Sequence, residues 1–245
     1  MSEGGGVATN ITELHRGSWI FSELYGKELE EIDPLVRPIE YEEGRIIFEE
    51  GEPVFGVYLL SRGKVKLAKR AAGGRKQILK LVGPGEILGE EFLFHDPTYS
   101  AYAQALEQTR AYFVPMEEFH GFLKAHPQVV IRLIEHLSQE IKGFQNKVLE
   151  ASYGSSLERV ARLLLAIADK WGEEEDGGFY IGLELSRVEL AELAGIASET
   201  ASRLLARLQE RGILALAGSK IIILDRARLK SLTEPLCVNI KESLL

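Results

Sequence analysis

One cysteine, Cys237, stands in a chain of 245 residues. It cannot build an internal disulfide framework, an iron–sulfur cluster or a thiolate zinc site, each of which needs several thiols. So thin a supply reads as a reducing, cytoplasmic setting. An excess of positive charge is also missing: 29 Lys+Arg face 37 Asp+Glu, a formal charge of −8. Taken over the whole chain, that balance argues against a nucleic-acid binder, because phosphates are met by Lys and Arg. The acidity is uneven, with 17 Lys+Arg against 23 Asp+Glu in residues 1–153 and 12 against 14 in residues 154–245. No apolar run approaches the roughly 20 residues of a membrane span. The first ten residues, MSEGGGVATN, lack the basic segment and apolar core of a secretory signal and read as a mobile leader. What remains is an average globular composition, 45% hydrophobic and 27% charged, in a length that suits one large or two ordinary domains.

From about Leu35 to Pro115 short apolar segments alternate with glycines, as in Val57-Tyr58-Leu59-Leu60, Val65-Lys66-Leu67-Ala68 and Ile78-Leu79-Lys80-Leu81. Evenly spaced strands with turn signals predict a small barrel or sandwich, with a hairpin tip at Arg70-Ala71-Ala72-Gly73-Gly74-Arg75. After Pro115 the pattern becomes helical. From Pro127 onward Val130, Ile134, Leu137, Ile141, Phe144, Val148 and Ala151 recur in steps of four and three. That is the a/d heptad of a coiled coil and predicts a dimer helix. Tyr153-Gly154-Ser155-Ser156 offers a hinge, with Ser155 or Ser156 capping the next helix, Leu157 to Trp171. The acidic stretch Gly172 to Gly178 reads as a solvated linker.

Ser186-Arg187-Val188-Glu189 has capping-box spacing and opens a short helix, Val188 to Ala194, that stops at Gly195. A second helix, Glu199 to Arg211, turns Ala201, Leu204, Leu205 and Leu208 inward and stops at Gly212. Two short helices joined at a glycine turn describe a helix-turn-helix. The apolar segments 213–217 and 220–224 add a hairpin wing. The outward face carries Ser198, Glu199, Thr200, Ser202, Arg203 and Arg207. Arginine can donate twice to guanine, glutamate can accept from cytosine N4, and serine serves either kind of edge. Arg207 and Arg211 lie further along and would meet phosphates.

On these residues the chain resembles the Crp/Fnr family of transcription regulators over about residues 20–230. Val188 to Ile196 with Glu199-Thr200-Ala201-Ser202-Arg203-Leu204-Leu205 is similar to the family's helix-turn-helix. The Glu-x-x-Ser-Arg spacing, with Ser198 before Glu199, is that of the Fnr branch rather than the Crp branch. Tyr102 to Glu107 and Glu140 to Gln145 point the same way. The resemblance implies a cupin-like, cyclic-nucleotide-binding-like β-roll sensor, and with the element pattern above it gives an α+β fold: a flexible leader (1–18), the sensor (19–126), a dimerisation helix (127–153) and a C-terminal winged helix-turn-helix domain (154–245). It also implies a homodimer on double-stranded DNA that reads pseudo-palindromic TTGA-type half-sites, with RNA polymerase as a partner. The dimer interface would be Val130, Ile134, Leu137, Ile141, Phe144 and Val148. One departure is Ala197, where the family has Ser or Thr as helix cap, and Ser198 is expected to take over that job.

Three triggers known in the family can be weighed on this chain. The oxygen-sensing Fnr mechanism needs a cluster of N-terminal cysteines and is excluded. Cyclic-nucleotide members carry Gly-Glu followed by Arg-Ser or Arg-Thr. Here Gly89-Glu90 is present, but Tyr99-Ser100-Ala101 puts tyrosine where arginine would grip the phosphate, so no cyclic nucleotide is expected. Haem needs an axial ligand, and His95, a lone loop histidine, reads as a polar surface residue. His15, His120, His126 and His136 show no metal-ligand spacing and read as ordinary polar residues. Phe144 sits on the heptad seam where many relatives are polar, which favours a stable dimer. Two readings stay open: a small ligand in a pocket near Glu90, Tyr99, Ser100 and Gln145, or no ligand and control by expression level. The alternatives are a cyclic-nucleotide- or haem-responsive regulator of the same fold, and a cyclic-nucleotide regulatory module with no DNA role, which Glu199, Ser202 and Arg203 argue against. Ser-His-Asp order, HExxH, Walker and GxGxxG patterns are absent, and Glu90-Glu91 reads as a barrel-loop pair rather than a catalytic one.

Overall fold

A computed structural model describes residues 18–71, 73–93, 98–175 and 177–233. His15 and the leader up to residue 17, His95 and Cys237 lie outside the described residues. By contact density the chain divides into two compact units, Met1–Ile141 and Lys142–Leu245, so the boundary falls inside the long helix rather than at either of its ends.

In the first unit a short helix, α1 (Lys27–Glu30), precedes eight strands: β1 (Arg37–Tyr41), β2 (Ile46–Phe48), β3 (Gly56–Arg62), β4 (Val65–Arg70), β5 (Lys76–Val82), β6 (Ile87–Leu88), β7 (Tyr102–Ala105) and β8 (Thr109–Pro115). They pair antiparallel into two four-stranded sheets, β1-β8-β3-β6 and β2-β7-β4-β5. The β4–β5 hairpin closes at the Gly73-Gly74 tip, where the Ala71 N–H donates to the Arg75 carbonyl at 2.8 Å. Successive strand side chains point to opposite faces, and β3 uses both. Val57 and Leu59 pack with Phe119, Phe122, Val129 and Leu133, whereas Tyr58 and Leu60 pack with Phe48, Leu88 and Tyr99 in the interior of the roll. The first cluster holds α2 (Met116–Ala125) and the start of α3 (Pro127–Tyr153) against the roll. Two histidines have structural roles at this seam: His120 Nε2 lies 2.9 Å from the Leu93 carbonyl, and buried His126 has Nε2 3.0 Å from Glu31.

The second unit holds the distal part of α3, then α4 (Ser156–Trp171), β9 (Glu173–Glu175), β10 (Gly178–Tyr180), α5 (Arg187–Ala194), α6 (Ser198–Glu210), β11 (Leu214–Ala217), β12 (Lys220–Ile223) and α7 (Arg226–Ser231). Ser155 caps α4 through a complete capping box with Glu158, and Ser186 caps α5 the same way with Glu189. The acidic stretch is not a linker. Glu173–Glu175 forms β9 and pairs with β10, so the wing sheet has four strands in the order β11-β12-β10-β9. Lys220 Nζ, 2.6 Å from Glu175 Oε1 and over the Tyr180 ring, supplies the compensating charge that a run of glutamates needs to enter a sheet. Among the described residues no helix is long and apolar enough to cross a membrane.

Candidate functional site

The turn between α5 and α6 is set by Gly195 at φ +63°, a left-handed cap that glycine adopts without steric cost. The Gly195 N–H donates to the Ala191 carbonyl, and Arg159 Nη1 donates to the Gly195 carbonyl at 3.2 Å, tying the turn to α4. Helix α6 buries Ala201, Leu205 and Leu208, while Leu204 is half-buried. The opposite face therefore presents Glu199, Ser202, Arg203 and Arg207, all exposed, with Ser198 and Thr200 half-buried in the first turn. Arg203 Nη2 lies 3.4 Å from Thr200 Oγ1, which holds the guanidinium over that turn. Arg211 sits at the helix end, where its carbonyl accepts from Arg228 Nη1 at 3.1 Å.

Ser198 does not take over the cap. Ala197 occupies the N-cap with extended backbone, makes no side-chain cap bond, and Ser198 is already the first helical residue. A cap oxygen reaches forward from the non-helical residue to the N–H groups two and three positions on, and one residue later that geometry is lost. Ala197→Ser should therefore stabilise the domain by about 0.5–1 kcal/mol; a thermal melt that does not rise would contradict this assignment.

Helix α3 has two faces. Val129 and Leu133 are buried in the first unit, with Val130 and Leu137 packed partly against the same cluster. Along the heptad seam the exposure is otherwise high: 58% for Ile134, 59% for Ile141, 44% for Phe144 and 64% for Val148.

The residues read from the sequence as an effector pocket have separate surroundings. Tyr99 is buried in the roll, stacked on Phe48 with ring centroids 3.7 Å apart, and its hydroxyl donates to the Gly56 carbonyl at 3.2 Å. Ser100 is exposed. Gln145 is exposed on α3, in the second unit. Glu90 follows Gly89, whose φ of +94° turns the chain into a 3-10 turn at Glu90–Phe92 and buries the carboxylate completely.

Glu90 is neutralised by residues that sequence reasoning missed. Lys80 Nζ lies 2.5 Å from Glu90 Oε1 and 2.6 Å from Glu140 Oε1. His136 Nε2 lies 3.5 Å from Glu90 Oε1 and 3.6 Å from Glu140 Oε1, and the imidazole stacks on Trp19 at 4.1 Å. Burial pushes the Glu90 carboxyl up, but the Lys80 ammonium and His136 outweigh it and hold it below the usual carboxylate range. Burial likewise disfavours the Lys80 ammonium, and Glu90, Glu91 and Glu140 more than offset this and raise its pKa. Glu90, His136 and Glu140 bring three ligand atoms within 4.8 Å of one another, the group among the described residues that could hold a metal ion. The signal available in the sequence was the i, i+4 spacing of His136 and Glu140, which puts both on one helix face.

Comparison with known proteins agrees with this geometry. Residues 38–126 match the Cyclic nucleotide-binding domain family, and residues 158–232 match the Crp-like helix-turn-helix domain family. The chain is 27% identical over 219 residues to the CRP-like cAMP-activated global transcriptional regulator of Mycobacterium tuberculosis, covering 89% of this chain and 98% of that protein. It is 28% identical to the transcriptional activator protein anr of Pseudomonas aeruginosa, covering 84% of each. Among solved structures it is similar to FixK2 from Bradyrhizobium japonicum, with a TM-score of 0.72 at 27% identity over 82% of this chain and 98% of that one. A sensor-type roll, a long helix and a winged helix-turn-helix thus occur here in the same order as in those regulators, and the chain belongs to the Crp/Fnr family of DNA-binding transcription regulators.

Proposed function

We propose that the protein acts by binding rather than catalysis, as a homodimer that reads a pseudo-palindromic duplex with TTGA-type half-sites and takes no cyclic nucleotide as its signal. The observation that carries this reading is the exposed trio Glu199, Ser202 and Arg203 at the N-terminal end of α6, opposite a buried apolar face. A recognition helix meets base edges with its first turns, and a two-fold dimer places two such helices about 34–36 Å apart. Fluorescence anisotropy on a duplex with two TTGA half-sites tests it. Tight binding that weakens when the G·C pair of a half-site is changed is expected, and equal affinity for a scrambled duplex would overturn it.

Dimerisation is supported by the exposed stripe on α3, since solvent-facing Ile134, Ile141, Phe144 and Val148 form an apolar line that water disfavours. A double change, Ile141→Glu with Val148→Glu, should give a monomer in sedimentation analysis and weaken operator binding. A wild-type monomer that persists on target DNA would refute the dimer. Indifference to cyclic nucleotides is supported by Tyr99, which fills the roll and offers no cation to a phosphate. Adding cyclic AMP or cyclic GMP should leave the duplex affinity unchanged. Bound at a promoter, such a dimer has RNA polymerase as its partner, and the position of the operator decides whether it activates or represses.

A further inference from the structure

One buried cluster has no part in base reading or in the apolar stripe of α3. Glu90 comes from the 3-10 turn of the roll, His136 and Glu140 from α3, and Lys80 from β5. The Glu90 side chain is 0% exposed, and its Oε2 has no hydrogen-bond partner. His136 Nε2 is also closed to solvent and has no partner at hydrogen-bonding geometry. Buried polar atoms are nearly always paired, and these two are a carboxylate oxygen and an imidazole nitrogen with lone pairs to donate.

We propose that Glu90, His136 and Glu140 form a binding site for a divalent transition-metal ion of the Zn2+ type, with Lys80 as its built-in competitor. Two of the three ligand–ligand distances suit an ion, and the third, within 4.8 Å, must close as the ion replaces Lys80. Bonds of 2.0–2.2 Å to nitrogen and oxygen in a tetrahedron put the ligand atoms about 3.4 Å from each other. His136 Nε2 stands 3.5 Å from Glu90 Oε1 and 3.6 Å from Glu140 Oε1, long for hydrogen bonds and close to tetrahedral edges. The imidazole selects Zn2+-like ions against Mg2+ and Ca2+, which take oxygen ligands. Lys80 Nζ touches the same two carboxylate oxygens, so the ammonium occupies the place that the ion would take. With 13% of its side chain exposed and a flexible stem, Lys80 can turn its charge toward solvent as the ion enters. The ion then neutralises both carboxylates, where the ammonium neutralises one, and Glu90 Oε2 or a water completes the coordination. Because the ligands come from the roll and from α3, occupancy pins the helix to the 3-10 turn.

The test uses the full-length protein, stripped with a chelator and titrated with Co2+ and then Zn2+. One Co2+ per chain is expected, with visible d–d absorption of tetrahedral intensity that Zn2+ abolishes. The spectrum should lack a thiolate charge-transfer band and be unchanged in Cys237→Ser. Glu90→Gln and His136→Gln should each weaken binding by at least about tenfold. Lys80→Met should tighten it by about tenfold or more, since a like charge no longer competes, and Zn2+ should raise the melting temperature of Lys80→Met more than that of the wild type. If Glu90→Gln does not fold, Glu140→Gln, at a side chain 20% exposed, takes its place. The proposal is overturned if neither the wild type nor Lys80→Met gives the tetrahedral Co2+ spectrum, or if that spectrum survives unchanged in His136→Gln.

Discussion

Lys80→Met, in metal-free buffer, should destabilise the N-terminal unit by about 3–5 kcal/mol, the usual consequence of stranding one partner of a buried ion pair. The fully buried Glu90 carboxylate would keep only His136 beside it, with Glu140 adding like charge. Urea unfolding followed by Trp19 fluorescence in a Trp171→Phe background reports on this unit, because Trp19 stacks on His136. The pH dependence should also shift. In the wild type Glu90 is held below the usual carboxylate range, so its contribution is complete above that range and is lost as pH falls through its folded value. Lys80 is raised, so its contribution is present below the usual lysine value and is lost as pH rises through the folded one. Without Lys80, burial outweighs the help left from His136 and lifts Glu90, so mild acid should stabilise the variant relative to the wild type. The pair Lys80→Met with Glu90→Gln should recover much of the loss, since removing both charges leaves no stranded ion. A single variant as stable as the wild type at neutral pH would refute the account.

Arg203→Ala should cost about 1–3 kcal/mol on the cognate duplex and relax discrimination at one G·C pair. Its guanidinium stands exposed above the first turn of α6, near Thr200, on the part of a recognition helix that meets base edges. Arg207, one helical turn further on, is expected to meet phosphate. Arg207→Ala should weaken all duplexes alike and reduce the salt slope by about 1. Anisotropy titrations on specific and random duplexes at several salt concentrations separate the two. Equal losses on both duplexes for Arg203→Ala would remove its base-reading role.

Local rules carried far in this chain. The alternation at Val57–Leu60, the run from Pro127, and the Ser186–Glu189 capping box each name an element that the structure contains, because each depends on neighbours within a few residues. Failures came where distant partners decide. A run of glutamates has poor strand propensity, and β9 exists because Phe179 and Tyr180 offer a paired edge and Lys220, 45 residues away from Glu175, offers a cation. Lys80 reads as one polar residue on an alternating strand. Only the fold brings it to Glu90 and to Glu140 on α3. Ala197 differs again, because the alanine itself announces a missing cap and nothing local repairs it.

The glutamate strand has a consequence for crowding. Among the described residues β9 is the outer strand of the wing sheet, and an unpaired strand edge is a template for another chain. Glu173 and Glu174 stand exposed on that strand and repel a second copy of themselves, while Glu175 is paired with Lys220. The acidity that first argued against DNA would, on this strand, oppose edge-to-edge joining of two copies.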